Sequence, residues 1–501
     1  MPVNAARLLW DSADRRPDHP AVVDGARQAT HGALRARAEG VASALRADGL
    51  RPGERVALLL ERGAEAAAAF VGVLAAGGIA VVVNEGLRPR QIDHIVGHAG
   101  AARLLTTVEL LARQPRPLQG GLHVIDLGEV PAAAEAPLPL HPCRPDAPAQ
   151  IVYTSGSTGQ PKGVAVSHAN LLAAAGTVAG YLGLTPEDRL AGLMTLSSVY
   201  GMSQLLCTVA TGATLVVERA TLPRTIVETL RAAEVSVLAA VPPLWLRLLN
   251  GGGLREAPLP ALRLLTNAGG HLPVEAVRAL RQAQPQAALV LMYGLTEVLR
   301  STFLPPEEVD RRPDSIGRAI PGAAVRVVDD DGHPVGPGEV GELVHEGPTV
   351  TLGYWADPAL TARVYRDGAG GARRVHSGDL VRSDDDGYLY YVSRKDRLIK
   401  VMGFRVGPDE VVDALLASGE VHEAEVVGEP DPVWGARIVA HVVLAPHGDL
   451  ARLKAFAARE LPRHMQPARY EVHAALPLLP SGKHDLAALA AAPPGLPSPL
   501  V

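Results

Sequence analysis

Apolar positions in the first hundred residues switch between two periods. Spacings of three and four predict helices over 5–16, 32–48, 61–76 and 90–99, and short continuous apolar runs predict strands over 55–60, 79–83 and 103–106. Strands that are apolar at nearly every position are buried on both faces, so the alternation implies a parallel sheet covered by helices. Residues 115–148 are rich in proline and alanine and predict a surface connection. Beyond it the alternation resumes, with strands over 150–153, 164–166, 189–193 and 213–217 and helices over 171–184, 202–208 and 222–233. After Arg397 the pattern becomes strand 398–401, helix 408–417, strands 424–428 and 438–444, helix 450–461 and strand 469–473. The expected architecture is therefore a large α/β body of mixed sheets and helices over residues 1–396, followed by a small α+β domain over 397–501. The last residues, 490–501, hold four prolines and are expected to fray.

Two stretches invite wrong readings. Residues 66–83 run for 18 positions without a charge, the length of a membrane span. Seven of them are alanine, and Gly77-Gly78 divides the run into a helical half and the β-branched strand Ile79-Ala-Val-Val-Val83, as in a buried α/β unit. The string Gly336-Pro-Gly-Glu-Val-Gly341 matches a dinucleotide fingerprint by count, but it lies between two strand patterns with no helix after it, so it predicts a hairpin.

Charge and cysteine content narrow the function. The 501 residues include 48 basic and 53 acidic side chains, a net charge of −5 with no basic block, so neither nucleic acid nor an anionic membrane is indicated as a partner. Two cysteines, Cys143 and Cys207, can build no disulfide framework or thiolate metal site. With no basic-then-apolar leader at the N-terminus, a cytoplasmic enzyme is the expectation.

Candidate chemistry centres on Tyr153-Thr-Ser-Gly-Ser-Thr-Gly-Gln-Pro-Lys-Gly163. Three glycines, four Ser/Thr hydroxyls and one lysine in eleven residues supply backbone N–H groups, O–H donors and a mobile cation, as a polyphosphate requires. The spacing is wrong for a Walker A loop, because Lys162 follows Pro161 and the chain enters a second strand rather than a helix. This is a strand-loop-strand phosphate binder.

The eleven-residue string resembles the nucleotide loop of the adenylate-forming (ANL) superfamily, which includes acyl-CoA synthetases, nonribosomal peptide synthetase adenylation domains and luciferases. Four further strings resemble that superfamily's motifs, in its order. Tyr293-Gly-Leu-Thr-Glu297 follows an apolar run and implies Tyr293 against adenine, Thr296 on phosphate and Glu297 on Mg²⁺. His376-Ser-Gly-Asp379 implies Asp379 on the ribose, with Ser377 where the family has threonine. The string from Ser393 to Arg405 implies Arg394 on the ribose and Asp396 as the pivot of a mobile lid, and Ser393 departs from the usual glycine. Leu478-Leu-Pro-Ser-Gly-Lys483 supplies the catalytic lysine, Lys483. The resemblance implies Lys483, Thr158 and Glu297 as the catalytic set. It implies Thr154, Ser155, Gly156, Ser157, Thr158, Gly159, Lys162, Tyr293, Gly294, Thr296, Asp379 and Arg394 as the nucleotide site.

It also implies a reaction: a carboxylate attacks the α-phosphorus of ATP, giving acyl-AMP and pyrophosphate, and rotation of the lid then brings 400–403 toward the site for transfer to a thiol. ATP and Mg²⁺ are the implied cofactors, with coenzyme A or an acyl carrier protein as thiol partner. The acid pocket falls on Ser198, Tyr200, Gly201, Asn267, Gly269, Gly270, His271 and Leu295. Amino-acid enzymes of the family hold the ammonium with an Asp near position 198, and none is present, so an aryl or acyl acid is favoured. The altered Ser197-Ser198 pair leaves open an amide bond synthetase or a nitrite-activating diazotase acting on an aromatic amine. A regulator that binds nucleotide without turnover is a further alternative, opposed by the retained Lys162, Glu297, Asp379 and Lys483.

Overall fold

The computed structural model describes residues 3–114, 116–118, 121–154, 161–251, 253–256, 258–368, 371–395, 397–401, 404–431, 434–479 and 484–491, with backbone alone at 400, 405, 435 and 491. Two sheets and their helices make the body. The smaller has seven strands in the order Gly353–Tyr354, Lys162–Ser167, Pro148–Thr154, Ile79–Val83, Arg55–Leu59, Arg103–Thr106 and His123–Asp126. Its last five run parallel, and its first two close one edge antiparallel.

The helix Ala64–Ala76 crosses between the strands Arg55–Leu59 and Ile79–Val83 and is buried from Ala66 to Ala76. Its small side chains let sheet and helix approach closely, and Gly77, at φ +88°, ends it in the left-handed conformation that glycine adopts at least cost. The 18-residue apolar run is thus a helix and a strand inside the core. Among the described residues, no helix is long and apolar enough to cross a membrane.

The larger sheet changes character midway. Its parallel half comprises Pro20–Asp24, Thr214–Val217, Arg189–Gly192, Val237–Ala240, Leu264–Asn267 and Ala288–Tyr293. From Tyr293 onward it continues antiparallel through Thr302–Leu304, Ser315–Ala319, Leu389–Arg394, Arg373–Ser383, Val340–Glu346 and Ala324–Val328. The carboxyl ends of parallel strands, where the connections turn away, are where α/β sheets leave room for ligands. Asn267 and Tyr293 both end such strands.

The stretch 115–148 is more than a connection: His123–Asp126 adds a parallel edge strand beside Arg103–Thr106. Its half-exposed residues alternate weakly, so the apolar pattern did not reveal it. The helix before Leu182 begins at His168, capped by Ser167 in a reciprocal box with Asn170. The string 336–341 lies between the antiparallel strands Ala324–Val328 and Val340–Glu346, as a hairpin.

The C-terminal part has its own core. Strands Val421–Asp431, Gly435–Leu444 and Arg469–Val472 form one sheet, and Ile399–Val401 pairs with Phe404–Val406. The helices Pro408–Ala417 and Leu450–Glu460 bury Val411, Leu415 and Leu453 against Val426 and Val442. This cluster starts at Ile399 and shares no residue with the clusters of the body. Residues 490 and 491 belong to the helix Leu486–Ala491; the rest of the stretch expected to fray, 492–501, lies outside the described residues.

Candidate functional site

Thr154 and Lys162 face each other across the hairpin that carries the glycine-rich loop. Ser155, Gly156, Ser157, Thr158 and Gly159 lie outside the described residues, so the structure speaks to the feet of the loop. One helix, Pro89–Ala99, braces both. His98 Nδ1 is 2.8 Å from the Tyr153 hydroxyl, and His94 Nε2 is 3.2 Å from the Pro161 carbonyl oxygen. The two histidines are four apart and so share a helix face. Burial and the neighbouring His94 lower the pKa of His98, favouring a neutral ring. Neither histidine was singled out from sequence, since their role depends on a contact some 60 positions away.

Three of the motifs converge past the end of the strand Ala288–Tyr293. The Tyr293 hydroxyl donates to Asp379 Oδ2, and Asp379 Oδ1 lies 3.3 Å from an Arg394 guanidinium nitrogen. Asp379 and Arg394 are register partners on adjacent strands. Burial, then the Asp379 charge, raises the Tyr293 pKa well above its usual value, so its hydroxyl stays a donor. Ser377, in the place of threonine, ties the turn: its hydroxyl donates to the Leu343 carbonyl at 2.6 Å and accepts from the Asp379 N–H at 3.0 Å. Ser393, in the place of glycine, is fully buried in the strand Leu389–Arg394 opposite Leu380, where a small side chain fits. Asp396 and Lys483 lie outside the described residues.

Gly294, Leu295 and Thr296 carry the chain, half-buried, from the strand end to Glu297, and Leu295 packs near Val298 and Tyr365. The Tyr354 hydroxyl donates to Glu297 Oε1. Tyr354 belongs to the strand Gly353–Tyr354, which pairs with Val164 and Ala165 just past Lys162. One tyrosine therefore ties the carboxylate to the hairpin of the phosphate loop. Sequence reasoning missed it, because nothing near Gly353 marks it.

The residues present fit a magnesium ion that arrives with ATP. Mg²⁺ is commonly held by one or two carboxylates together with substrate phosphates and water, and Glu297 retains Oε2 beside its bond to Tyr354. Among the described residues, the only group of three His, Cys, Asp or Glu side chains with ligand atoms within 4.8 Å of one another is Asp329, Asp331 and His333, and two of the three are exposed. Asp329 Oδ1 there accepts the backbone N–H groups of Asp331 and His333, as in an ordinary turn.

The proposed pocket residues form a second group. Ser198 caps the helix Val199–Thr211: its Oγ accepts from the Gly201 N–H at 3.0 Å and donates to the Thr195 carbonyl at 2.8 Å. Gly201 is obligatory there, since an added Cβ would stand 2.1 Å from the Thr195 carbonyl oxygen. Tyr200 reaches Thr266, with its hydroxyl 2.8 Å from the carbonyl oxygen, and burial pushes its pKa up to about 12. Asn267 donates to the Gly270 carbonyl at 3.2 Å, while its Oδ1 is buried without a partner among the described residues. Gly269 provides the turn at φ +84°. His271 contacts the C-terminal part: its Nε2 meets Asp413 Oδ2, on the helix Pro408–Ala417, at 3.0 Å. Of the eight pocket residues, Tyr200 and Asn267 are joined through Thr266, Ser198 serves the helix end, and His271 serves the seam with the C-terminal domain.

A two-part α/β enzyme whose nucleotide motifs meet past the carboxyl ends of its strands is the architecture of an adenylate-forming ligase, and comparisons with known proteins agree. Residues 9–355 match the AMP-binding enzyme family and residues 410–483 the AMP-binding enzyme C-terminal domain, and the chain belongs to this family. It is 33% identical to the sulfoacetate–CoA ligase of Cupriavidus necator over 95% of this chain and 96% of that one. The o-succinylbenzoate CoA synthetase of Bacillus subtilis, solved with its acyl-adenylate, superposes with a TM-score of 0.86 at 27% identity, covering 99% of each chain. The anthranilate CoA ligase AuaEII, solved with anthranoyl-AMP, superposes with a TM-score of 0.88 at 25% identity over 98% of this chain and 97% of that one. The protein is an AMP-forming ligase that activates an acid with ATP as its acyl-AMP and passes the acyl group to a thiol.

Proposed function

We propose that the acid is an aryl or acyl carboxylic acid and that the thiol acceptor is coenzyme A, with an acyl carrier protein as the alternative. The observation that carries the site assignment is the chain Tyr293–Asp379–Arg394, which joins three separate sequence motifs at the strand ends. In this reading Asp379 and Arg394 bind the ribose and Tyr293 covers the adenine. The loop 154–159, with Thr158 and Lys162, cradles the phosphates beside Thr296 and Glu297. Bound Mg²⁺ would neutralise phosphate charge at Glu297.

The substrate carboxylate is held in line with the α-phosphorus, and Lys483 bridges the two as negative charge grows in the transition state. The wall from Ser198 to Tyr200 offers no carboxylate for an ammonium group, which supports an acid without an α-amine. The independent core that starts at Ile399 supports a division into 1–396 and 397–501 with a pivot at Asp396. Two buried free cysteines suit a reducing, cytoplasmic setting.

Acid-dependent exchange of labelled pyrophosphate into ATP tests this reading. A screen of aryl, fatty and amino acids should give exchange with aryl or acyl members, and exchange confined to α-amino acids would overturn the acid class. Supplying coenzyme A should then yield a thioester.

A further inference from the structure

Beside the proposed pocket residue Tyr200 lies a buried cation with no matching anion among the described residues. Arg300 stands three residues beyond Glu297 and is 4% exposed. Among the described residues no carboxylate forms an ion pair with it, and its Nε has no hydrogen-bond partner. Its guanidinium carbon lies 5.2 Å from the centre of the Tyr200 ring, a contact that compensates only part of the lost hydration.

Arg300 borders a small cavity whose other walls are mostly apolar and include Val152, Ala174, Val178 and Met202. The cavity adjoins the nucleotide motif, because the residue after Arg300 donates its N–H to the Tyr293 carbonyl at 3.0 Å. Leu299, immediately before, is held at φ +57°, a conformation disfavoured for leucine, in the turn that delivers Arg300 to the cavity.

The neighbours that feel the Arg300 charge supply no anion. Burial pushes Tyr200 and Cys207 up to about 12 and raises Tyr181 further, so all three remain protonated at neutral pH. Arginine keeps its charge inside proteins, and a buried charge without a counterion is costly. A pocket shaped for a purely apolar acid would be more stable with an apolar side chain at this position.

We infer that Arg300 pairs with a second negative charge on the substrate, so that the acid activated here carries a carboxylate or sulfonate group besides the carboxylate that reacts. The inference rests on the acid-activating reading above and names the substrate class of that same pocket. A guanidinium presents paired donors to such a group, and closure of the pocket strengthens the interaction by excluding water.

The test compares acids of shared skeleton with and without the second anion: butanoate with succinate, benzoate with isophthalate, and propanoate with 3-sulfopropanoate. Each is measured by pyrophosphate release with ATP and, separately, by calorimetric binding in the presence of a non-hydrolysable ATP analogue. In at least one pair the native enzyme should favour the doubly anionic acid by about 30-fold or more, and Arg300→Met should abolish the preference while changing the singly charged acid by less than about threefold. Arg300→Lys should keep part of it.

No preference in any pair overturns the inference, as does a preference that survives Arg300→Met. Equal loss on both members of a pair also overturns it, by placing Arg300 on the shared carboxylate or the phosphates. Thermal midpoints and ATP binding monitor folding, and if the methionine variant does not fold, the native preference and the lysine variant decide. Failure of every acid to release pyrophosphate would sink the acid-activating reading, while the binding comparison would still decide for or against a second anion.

Discussion

His271 of the body and Asp413 of the C-terminal domain meet at 3.0 Å between Nε2 and Oδ2. The contact becomes an ion pair when His271 is protonated, and Asp413 Oδ1 is buried without a hydrogen-bond partner among the described residues. Burial lowers the pKa of His271, but Asp413, with Asp409 and Asp314 behind it, raises it by more, and the net shift is upward.

A histidine raised on folding contributes stability that is fully present below its unfolded pKa, about 6.5, and lost as pH rises through the folded value. The domains should therefore separate more readily at high pH. Limited proteolysis near residues 395–397 should be faster at about pH 8.5 than at about pH 6, and Asp413→Asn should remove most of that difference. An unchanged pH dependence in the variant would show that the seam is held elsewhere.

Glu297 and Tyr354 give a graded pair of variants. Glu297→Gln keeps size and removes charge, so ATP-dependent pyrophosphate release should fall at least about tenfold, or about 1.4 kcal/mol. Tyr354→Phe removes only the hydroxyl that orients the carboxylate and should cost less, while raising the Mg²⁺ concentration needed for half-maximal rate. If Glu297→Gln turns over normally at limiting Mg²⁺, the metal assignment is wrong.

The proposed ribose site is open to a binding measurement. Asp379→Asn removes the charge shared by Tyr293 and Arg394, and nucleotide affinity should weaken by about tenfold or more, since hydrogen bonds to charged groups contribute about 1.5–3 kcal/mol. Tyr293→Phe should weaken it in the same direction by a smaller factor. Calorimetry with ATP checks both, and unaltered affinity in Asp379→Asn would remove this carboxylate from the site.

The residues that follow the proposed lysine and the proposed pivot share an anchor. Glu425 Oε2 lies 3.0 Å from His484 Nδ1, next to Lys483, and Glu425 Oε1 accepts from Arg397 at 2.7 Å. Lys483→Ala should lower adenylate formation by about a hundredfold, on the order of 3 kcal/mol, while the same variant given synthetic acyl-AMP still acylates its acceptor. Glu425→Gln weakens the anchor without touching the lysine, so its loss should fall between native and Lys483→Ala. Equal losses of both half-reactions in Lys483→Ala would assign the lysine a structural role.

Much of this enzyme was legible without coordinates. The apolar periods located the helix Pro408–Ala417 and the strands Ile79–Val83 and Arg103–Thr106 to the residue. A buried segment must satisfy its backbone locally and hide one side, and that imprints a period on the chain. The motifs grouped Tyr293, Asp379 and Arg394, and the structure brings the three side chains together. The departures Ser377 and Ser393 proved compatible with their places for a local reason, a turn bond in one case and a snug strand position in the other.

What the chain alone did not specify were partners brought together from afar. Tyr354 against Glu297, His94 and His98 beneath the loop, and His271 against Asp413 are ordinary residues in ordinary strings, and only packing gives them a function. Ser198 stands where a pocket residue is expected, and its hydroxyl also caps a helix by accepting the Gly201 N–H, which the string alone does not show. Arg300 makes the same point most sharply: an arginine in a sequence is a solvated charge by default, and only the closing of the sheet and helices around it, with no carboxylate in reach among the described residues, makes it a determinant of the acid.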